Sequence, residues 1–459
     1  MGTPRIAIGL MTLGLFLTPS HAANNNKNNN NEMVEKPDEV CMICDAKRRM
    51  HEACKWLDLG FDFRYRYYHE ENRRLNERNA AHLRQWQRFR PRLWAGIKPI
   101  ENVSINTRLM WEARYWHKPD NMDPQFTHHE VLFDVLNVKV DKVASLPLKI
   151  TAGRQNMRLG DGWLVADGTP RDGSRTTFFD AIRATWTAKE IDTTANLIYI
   201  HNHAESASLH RPFDDRSMDL SEQDESGAIV YLSNKSFKDT TLDGYFIYKH
   251  DERIMAAGND SDLYTLGGRA ETMLCEHLQA RGELAYQWGR KNAEHLSAMA
   301  FNGRLKYLFK DPRSNSIHLD YEYRSGDPEN DAAFDILWGR HAQWSPLYND
   351  SVSTLEEPID YSPNYHRICL GWRGKPLAKT QFGADYNILF SDRNPNSGAR
   401  GFTRSGDLRG QLVRAFIKYT INEHISTRLL GEMFLPGNYY DETRNDIATF
   451  AQFQLVFTW

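Results

Sequence analysis

From Trp56 to its last residue the chain alternates apolar and polar positions with a period of two. Leu57, Leu59, Phe61, Phe63, Tyr65 and Tyr67 interleave with Asp58, Gly60, Asp62, Arg64 and Arg66. At the far end Phe453, Leu455, Phe457 and Trp459 share one face. Gln452, Gln454 and Thr458 share the other, with Val456 its one apolar member. A strand that is greasy on one side and polar on the other separates two media. On the last stretch alone, a soluble sandwich and a membrane barrel that closes on its final strand fit equally well. The pattern predicts strands at 57–69, 86–97, 103–116, 127–138, 147–154, 175–187, 192–202, 226–235, 239–249, 262–273, 277–290, 295–309, 314–324, 365–373, 378–392, 407–420, 424–435 and 447–459. Most of these are about ten residues long, the length of a tilted strand that crosses a bilayer.

The connections between these strands alternate long and short. Residues 70–85, 117–126, 155–174 and 325–364 are long; 98–102 and 188–191 are short. Short periplasmic turns and long external loops are the habit of outer-membrane barrels, and a soluble sandwich has no reason for such alternation. The eighteen segments, an even number, put both termini on the periplasmic side. The fold class expected is therefore all-β: a single transmembrane antiparallel β-barrel of about 18 strands over residues 56–459, in the bacterial outer membrane. Glu70 to Gln85 has helix-forming composition but falls in the first long connection, so it is read as an external loop.

Composition agrees with this reading. The chain has 459 residues and a mean hydropathy of −0.64, and after residue 23 no window approaches the roughly 18 apolar residues of a spanning helix. Alternating strands keep mean hydropathy low even in a membrane protein. The net charge of −3 points to no nucleic acid.

Residues 1–23 read as a secretory signal: Arg5, the apolar run Ile6 to Leu17, and Ser20-His21-Ala22 as a small-x-small cleavage site. Residues 24–55 form a linker and arm. Asn24 to Asn31 buries nothing and reads as disordered. Glu32 to Lys55 carries Cys41, Cys44 and Cys54 and reads as a short periplasmic arm with helical capacity. An oxidising compartment allows a disulfide among the three, with the pairing undetermined. One C-x-x-C with a third Cys falls short of the four ligands zinc takes.

Each face of the predicted strands has its own chemistry. Aromatic residues gather near strand ends on the outward face: Tyr65, Tyr67, Trp111, Tyr115, Trp186, Tyr286, Trp288, Tyr321, Tyr323, Trp372, Tyr386, Phe390, Phe457 and Trp459. They fit the girdle expected at lipid–water boundaries. The inward face is basic. Arg64 and Arg66 share a face on the first strand, Arg88, Arg90 and Arg92 on the second, Arg108 and Arg114 on the third. Later strands add Arg183, Arg269, Arg304, Lys306, Arg324, Arg367, Arg373, Arg414, Lys418 and Arg428. An arginine facing lipid at mid-membrane costs about 2–4 kcal/mol, so these side chains are expected in the lumen. Asp62, Glu112, Glu271, Asp320, Glu322, Asp385 and Glu432 fall on the same faces. Two outcomes are open: a self-neutralising ion-pair lattice, or a lumen that attracts anions through guanidinium forks.

The fifth and sixth strands carry a recognisable pattern. Gly153-Arg154-Gln155, Arg158-Leu159-Gly160-Asp161, Arg175 and Phe179-Asp180-Ala181-Ile182-Arg183 resemble the core of the alginate export family of outer-membrane porins, with Ala181 where that family usually has Gly. The resemblance covers roughly 57–459. It implies an eighteen-stranded barrel, passive export of an acidic polysaccharide such as an alginate-like polyuronate, and no cofactor. Arg154 and Arg183 are the positions carried over by motif. Strict alternation sets Arg154 opposite Lys149 and Thr151, so it is expected to turn inward only at the strand end. The implied partners are the polysaccharide and outer-membrane lipid; a periplasmic export partner for the cysteine arm is left open. The Asn-rich arm and the 325–364 connection depart from the family pattern.

No P-loop, H-E-x-x-H, G-x-S-x-G or dinucleotide fingerprint is present, so no enzyme is expected. His128-His129 point to opposite faces, and His201 and His203 share a face at a strand end, so no metal site is read from them. Asp327, Glu329 and Asp331 lack the rest of a calcium loop. A general small-anion porin, a structural or adhesive barrel and a barrel lipid hydrolase are the alternatives. The connections 156–174 and 325–364 are expected to fold inward and narrow the pore.

Overall fold

The computed structural model describes residues 42–76, 82–119, 130–166, 178–204, 213–214, 221–256, 258–327, 333–339, 344–355 and 363–459. The expected signal peptide, the Asn run, Cys41, His128-His129, Arg175, Glu329 and Asp331 lie outside them. A helix, α1 (Met42–Ala53), precedes the barrel. Cys54 at its end carries a free thiol.

Twenty strand segments follow: β1 (Leu57–Glu71), β2 (Arg84–Ile100), β3 (Val103–Trp111), β4 (Ala113–Lys118), β5 (Glu130–Val140), β6 (Leu148–Gln155), β7 (Phe179–Ala188), β8 (Thr193–Asn202), β9 (Phe213–Asp214), β10 (Gln223–Asn234), β11 (Thr240–Arg253), β12 (Ser261–Cys275), β13 (Leu278–Lys291), β14 (Glu294–Leu308), β15 (Ser316–Arg324), β16 (Tyr365–Gly374), β17 (Thr380–Phe390), β18 (Leu408–Thr420), β19 (Ile425–Pro436) and β20 (Ala448–Thr458). β4 continues β3 past Glu112, and β9 is a two-residue pairing on the end of β5. The result is an antiparallel barrel of eighteen strands, closed where β1 pairs with β20. Trp459 N donates to Phe61 O at 2.8 Å at that seam. A bilayer offers no water to an open edge, so closure satisfies the backbone groups that an open sheet would leave unpaired.

The barrel is apolar outside and charged inside. Leu197, Leu266 and Leu370 are each more than half exposed, whereas Arg66 and Glu322 are 2 % exposed and Gln452 is fully buried. No described helix is long and apolar enough to cross a membrane; the strands do so. Short turns such as 101–102 and 189–192 face the periplasm, and long connections face outward. The alternation has one exception. β13 and β14 are joined on the external side by Asn292 and Ala293 alone. Asn292 takes a left-handed backbone (φ 53°) there, which is what a two-residue hairpin requires. The first external connection is also shorter than predicted, because β1 and β2 extend through Glu71 and from Arg84.

Three external segments turn into the barrel. Residues 156–166 and 333–339 touch through a parallel bridge between Val165 and Trp338. They carry Met157, Leu159, Trp163, Leu164, Val165, Phe334, Leu337 and Trp338 into one buried cluster with Ile198, Ile200, Ile229, Tyr231 and Ile247 of the wall. Residues 344–355 pack against the other side, where Leu347, Tyr348, Val352 and Leu355 meet Tyr68, Trp86, Leu412 and Phe434. The hydrophobic core of this protein therefore sits inside the barrel, between wall and plug.

The turn into the first segment depends on Gly153. Its φ is +111°, and a Cβ there would lie 2.4 Å from the Leu136 carbonyl oxygen. Gly153→Val is expected to destabilise the barrel by about 1–3 kcal/mol. Gly244→Ala, with no atom within 4 Å of the new Cβ, is expected to be near neutral. The fraction that migrates as the compact, heat-sensitive band in detergent electrophoresis measures the difference.

Candidate functional site in the barrel interior

Backbone register sets the interior wall of β1, β2 and β4 in rungs. Tyr68 lies opposite Trp86, and Trp86 opposite Trp116. The next rung joins Arg66 to Arg88 and Arg88 to Arg114; the one after joins Arg64 to Arg90; the next joins Asp62 to Arg92. Like charges directly opposite one another in a sheet are destabilising, and here they recur at three pairings. The upper rung is a π-stack: Tyr68 and Trp86 are 4.4 Å apart between ring centroids, Trp86 and Trp116 5.3 Å. The Arg84 guanidinium lies over both indoles at 5.8 and 5.2 Å.

Carboxylates temper this wall without balancing it. Asp62 pairs with Arg92 at 2.7 Å and Arg90 at 3.8 Å. Asp134 holds Arg108 in a two-point fork at 2.7 and 2.8 Å. Glu112 lies 3.4 Å from both Arg88 and Arg114. Eight arginines (Arg64, Arg66, Arg84, Arg88, Arg90, Arg92, Arg108, Arg114) thus face four carboxylates (Asp62, Glu70, Glu112, Asp134) on this wall. Beside the wall, Arg73, Arg84, Arg88, Arg114 and the two indoles share a cavity of about 330 Å³ with Asn349, Asp350, Ser353 and Thr354 of the plug.

The opposite wall is a neutralised lattice. Arg304 holds Asp320 by a fork at 2.6 and 2.8 Å. Arg324 and Arg367 reach Glu322 at 3.1 and 3.4 Å. Arg414 joins Asp385 at 3.2 Å to Glu432 at 3.0 Å. Arg304, Arg324 and Arg367 line a second cavity of about 210 Å³, closed by Arg158, Asp161 and Trp163 of segment 156–166 and Trp344 of segment 344–355. Trp163 Nε1 donates to Glu322 at 3.0 Å. The carboxylate of Asp161 accepts from Arg281 and Arg269. Burial alone would raise the Asp161 carboxyl, but these two guanidiniums and Arg158 outweigh it and hold the group below the ordinary carboxylate range.

A family model described as alginate export matches residues 55–345. The chain belongs to the alginate export family. It is an outer-membrane porin with the barrel of that class. Its fold is similar to two solved structures from Pseudomonas aeruginosa. OpdO superimposes with a TM-score of 0.56 at 11% identity, covering 88% of this chain and 97% of that one. OccK8 (OprE) superimposes at 0.55 with 12% identity, covering 88% and 98%. No curated protein matches the sequence.

Within this alginate export chain the motif residues build the plug's hinge. Arg154 breaks alternation because of Gly153 and is 1 % exposed. It forks Asp180 at 2.8 and 2.7 Å and donates to Phe133 O. Gln155 caps the Ala181 carbonyl at 3.0 Å, and Arg158 donates to the Asp161 carbonyl. Arg183 stands apart on β7, donating to Asn196 Oδ1 at 2.8 and 3.0 Å. The structure brings Arg64, Arg66, Arg88, Arg90, Arg92, Arg108 and Arg114 together on one wall and Arg304, Arg324, Arg367 and Arg414 on the other; Arg154 and Arg183 join neither group. Sequence reasoning passed over Arg281, which shares an inward face with buried Glu283 and was legible by alternation. It also missed Arg84, lost when the second strand was begun at 86. Trp163, Trp344 and Asp335 come from loops without periodicity.

The plug is latched by charge. Asp335 accepts from Lys291 at 3.0 Å, and its backbone exchanges two hydrogen bonds with Gln287 at 2.8 and 2.9 Å. Trp338 Nε1 donates to Glu225 at 3.0 Å. Burial would raise the Asp335 carboxyl, but Lys291, Lys249 and the Leu337 N–H outweigh it and hold it down to about 2. A depressed carboxyl contributes stability that is complete above its unfolded value near 4 and lost as pH falls through the folded value. Asp335→Asn removes the partner of a buried ammonium, which costs about 3–5 kcal/mol. In planar bilayers at neutral pH this variant is expected to show raised single-channel conductance, and the wild type to rise only as pH falls toward about 2. Equal conductance in both proteins would remove the latch.

Proposed function

We propose that this porin passes an acidic polysaccharide, an alginate-like polyuronate, driven by its gradient and attracted by the arginine wall of β1, β2 and β4. The observation that carries the reading is the recurrence of like-charged register partners, Arg64 with Arg90, Arg66 with Arg88 and Arg88 with Arg114. On the opposite wall opposite signs meet more often, Arg304 with Asp320, Arg367 with Glu322 and Arg414 with Asp385 and Glu432, beside the like pairs Arg281 with Arg304 and Lys418 with Arg428. Guanidinium groups hold their charge at every relevant pH and bind carboxylates by two parallel hydrogen bonds. Several such sites in series attract a polyanion and still release it, because Arg88, Arg92, Arg108 and Arg114 keep part of their surface in the interior while Arg64, Arg66 and Arg90 are buried behind them. The family supports a glycan cargo, and the two cavities, each flanked by tryptophan, supply apolar surface beside the cations. No residue of the pathway is given a catalytic role.

A second reading, a porin for small organic anions, is favoured by one observation. The cavities measure about 210 and 330 Å³, sized for single acidic units. Current block separates the two. A uronic-acid trisaccharide is expected to block single-channel current, a neutral trisaccharide not to, and Arg88→Gln/Arg90→Gln to raise the half-blocking concentration about tenfold. Equal block by the neutral sugar would defeat the polyanion reading. Block by a small dicarboxylate but not by the uronate would favour the second.

A further inference from the structure

We infer that Lys418 and Arg428, at the periplasmic mouth, form an entry site for the carboxylates of an acidic glycan, the lowest step of a cationic row that climbs the inner wall to the plug. Backbone register traces the row strand by strand. Lys418 lies opposite Arg428, Arg428 opposite Gln454, Gln454 opposite Arg66, Arg66 opposite Arg88, and Arg88 opposite Arg114. Strands in such barrels tilt by about 35–45°, so a row that crosses them at right angles rises as it goes round the wall. Its two ends show the climb. Lys418 lies two residues from the periplasmic end of β18, and Arg114 four residues from the external end of β4.

The charge of this row has one sign. Lys418, Arg428, Arg66, Arg88 and Arg114 are cations, and Gln454 is neutral. The row beneath runs Thr420, Ser426, Val456, Arg64 and Arg90 and adds two more cations. Among the described residues the carboxylate beside these two rows is Glu112, at the upper end, 3.4 Å from Arg88 and Arg114. The row above runs Phe416, Leu430, Gln452, Tyr68, Trp86 and Trp116 and carries no charge. Two rows away on either side the carboxylates are answered by arginines of their own. Arg414 holds Asp385 and Glu432, Glu70 lies 4.0 Å from Arg84, and Asp62 2.7 Å from Arg92.

The lower end of the row is the open one. Lys418 is exposed and Arg428 half-buried. The Lys418 ammonium makes no hydrogen bond or ion pair with a described residue, and Arg428 donates to the Gln452 side chain. Further up, Arg66 is 2 % exposed and donates to Gln454 at 2.7 Å and to the Tyr68 hydroxyl at 3.1 Å. Tyr68, Trp86 and Trp116 are packed under Leu347, Tyr348, Val352 and Leu355 of segment 344–355. A polyanion that leaves the periplasm therefore meets Lys418 and Arg428 first. An ammonium is a hydrated point charge and a guanidinium a two-point fork, so the pair attracts a carboxylate without enclosing it. Neighbouring steps are one strand spacing apart, about 4.8 Å, so a chain with a carboxylate on each ring holds one step while it reaches the next. The site rests on the acidic-glycan reading above and adds to it a side of entry.

The test is single-channel block by a uronic-acid trisaccharide, added to each side of the bilayer in turn. Wild type is expected to block at about tenfold lower concentration from one side, since the lower steps are open and the upper ones lie under the plug. Lys418→Gln/Arg428→Gln is expected to raise the half-blocking concentration about tenfold from that side and to change the other less than about twofold. Lys418→Arg/Arg428→Lys, which keeps both charges, is expected to keep the asymmetry. Heat-modifiable migration of the variants is expected to match wild type. Symmetric block in the wild type, or unchanged block in the Gln variant, overturns the entry site and leaves the cargo reading standing. No block by the uronate from either side overturns both. If the double variant fails to fold, Lys418→Gln alone is expected to raise the same half-blocking concentration about threefold, and equal block there overturns the site.

Discussion

A bilayer cannot hydrogen-bond a backbone, and that constraint organises this chain. It forces β1 onto β20 and leaves every strand with one face in lipid and one in an enclosed interior. The faces then sort by cost. Leucine, tyrosine and tryptophan go outward; arginine, aspartate and glutamate go inward, where they must find one another or water. The usual relation of core to surface is inverted, so the compact apolar core forms only where external segments 156–166, 333–339 and 344–355 enter the barrel.

Enclosure alone does not dictate how interior charges are arranged, and the two walls differ. On β14 to β18 Arg304, Arg324, Arg367, Arg373 and Arg414 are answered by carboxylates, and forks such as Arg304 with Asp320 stiffen the sheet. On β1, β2 and β4 arginine faces arginine across the register. An ion-pair lattice and a wall of like-charged register partners therefore occur in one barrel, on different arcs. The plug lies between them. It touches the lattice through Trp163 and Glu322 and the basic wall through Asn349 and Asp350 beside Arg84 and Arg114.

Most of the barrel was legible because a period of two is forced on every residue of a spanning strand. Phe453 and Gln452, or Leu197 and Ile198, differ in face for no other reason. The same rule located Arg64, Arg66, Arg88 and Arg90 on one surface. It failed where backbone geometry departs from the pleat. Gly153, at φ +111°, redirects Arg154 into a fork with Asp180 that alternation would place elsewhere. It was silent on the plug, since Trp163, Trp338 and Asp335 come from segments with no period. Their pairing with Glu322, Glu225 and Lys291 depends on three-dimensional closure. The short external turn at Asn292 and Ala293 was already visible in the predicted bounds, which leave only 291–294 between two long strands.

The central claim is that guanidinium groups outnumber carboxylates along the permeation path, and the sign of ion selectivity tests it most directly. Reversal potential across a planar bilayer with a KCl gradient reads that sign without any assumption about the cargo. The wild-type protein is expected to prefer chloride at low salt. The preference should fade as ionic strength passes about 0.1 M, where the Debye length is about 10 Å. Cation preference at low salt would contradict the account, because the carboxylates of the lattice would then govern the path and the arginines of β1, β2 and β4 would be structural.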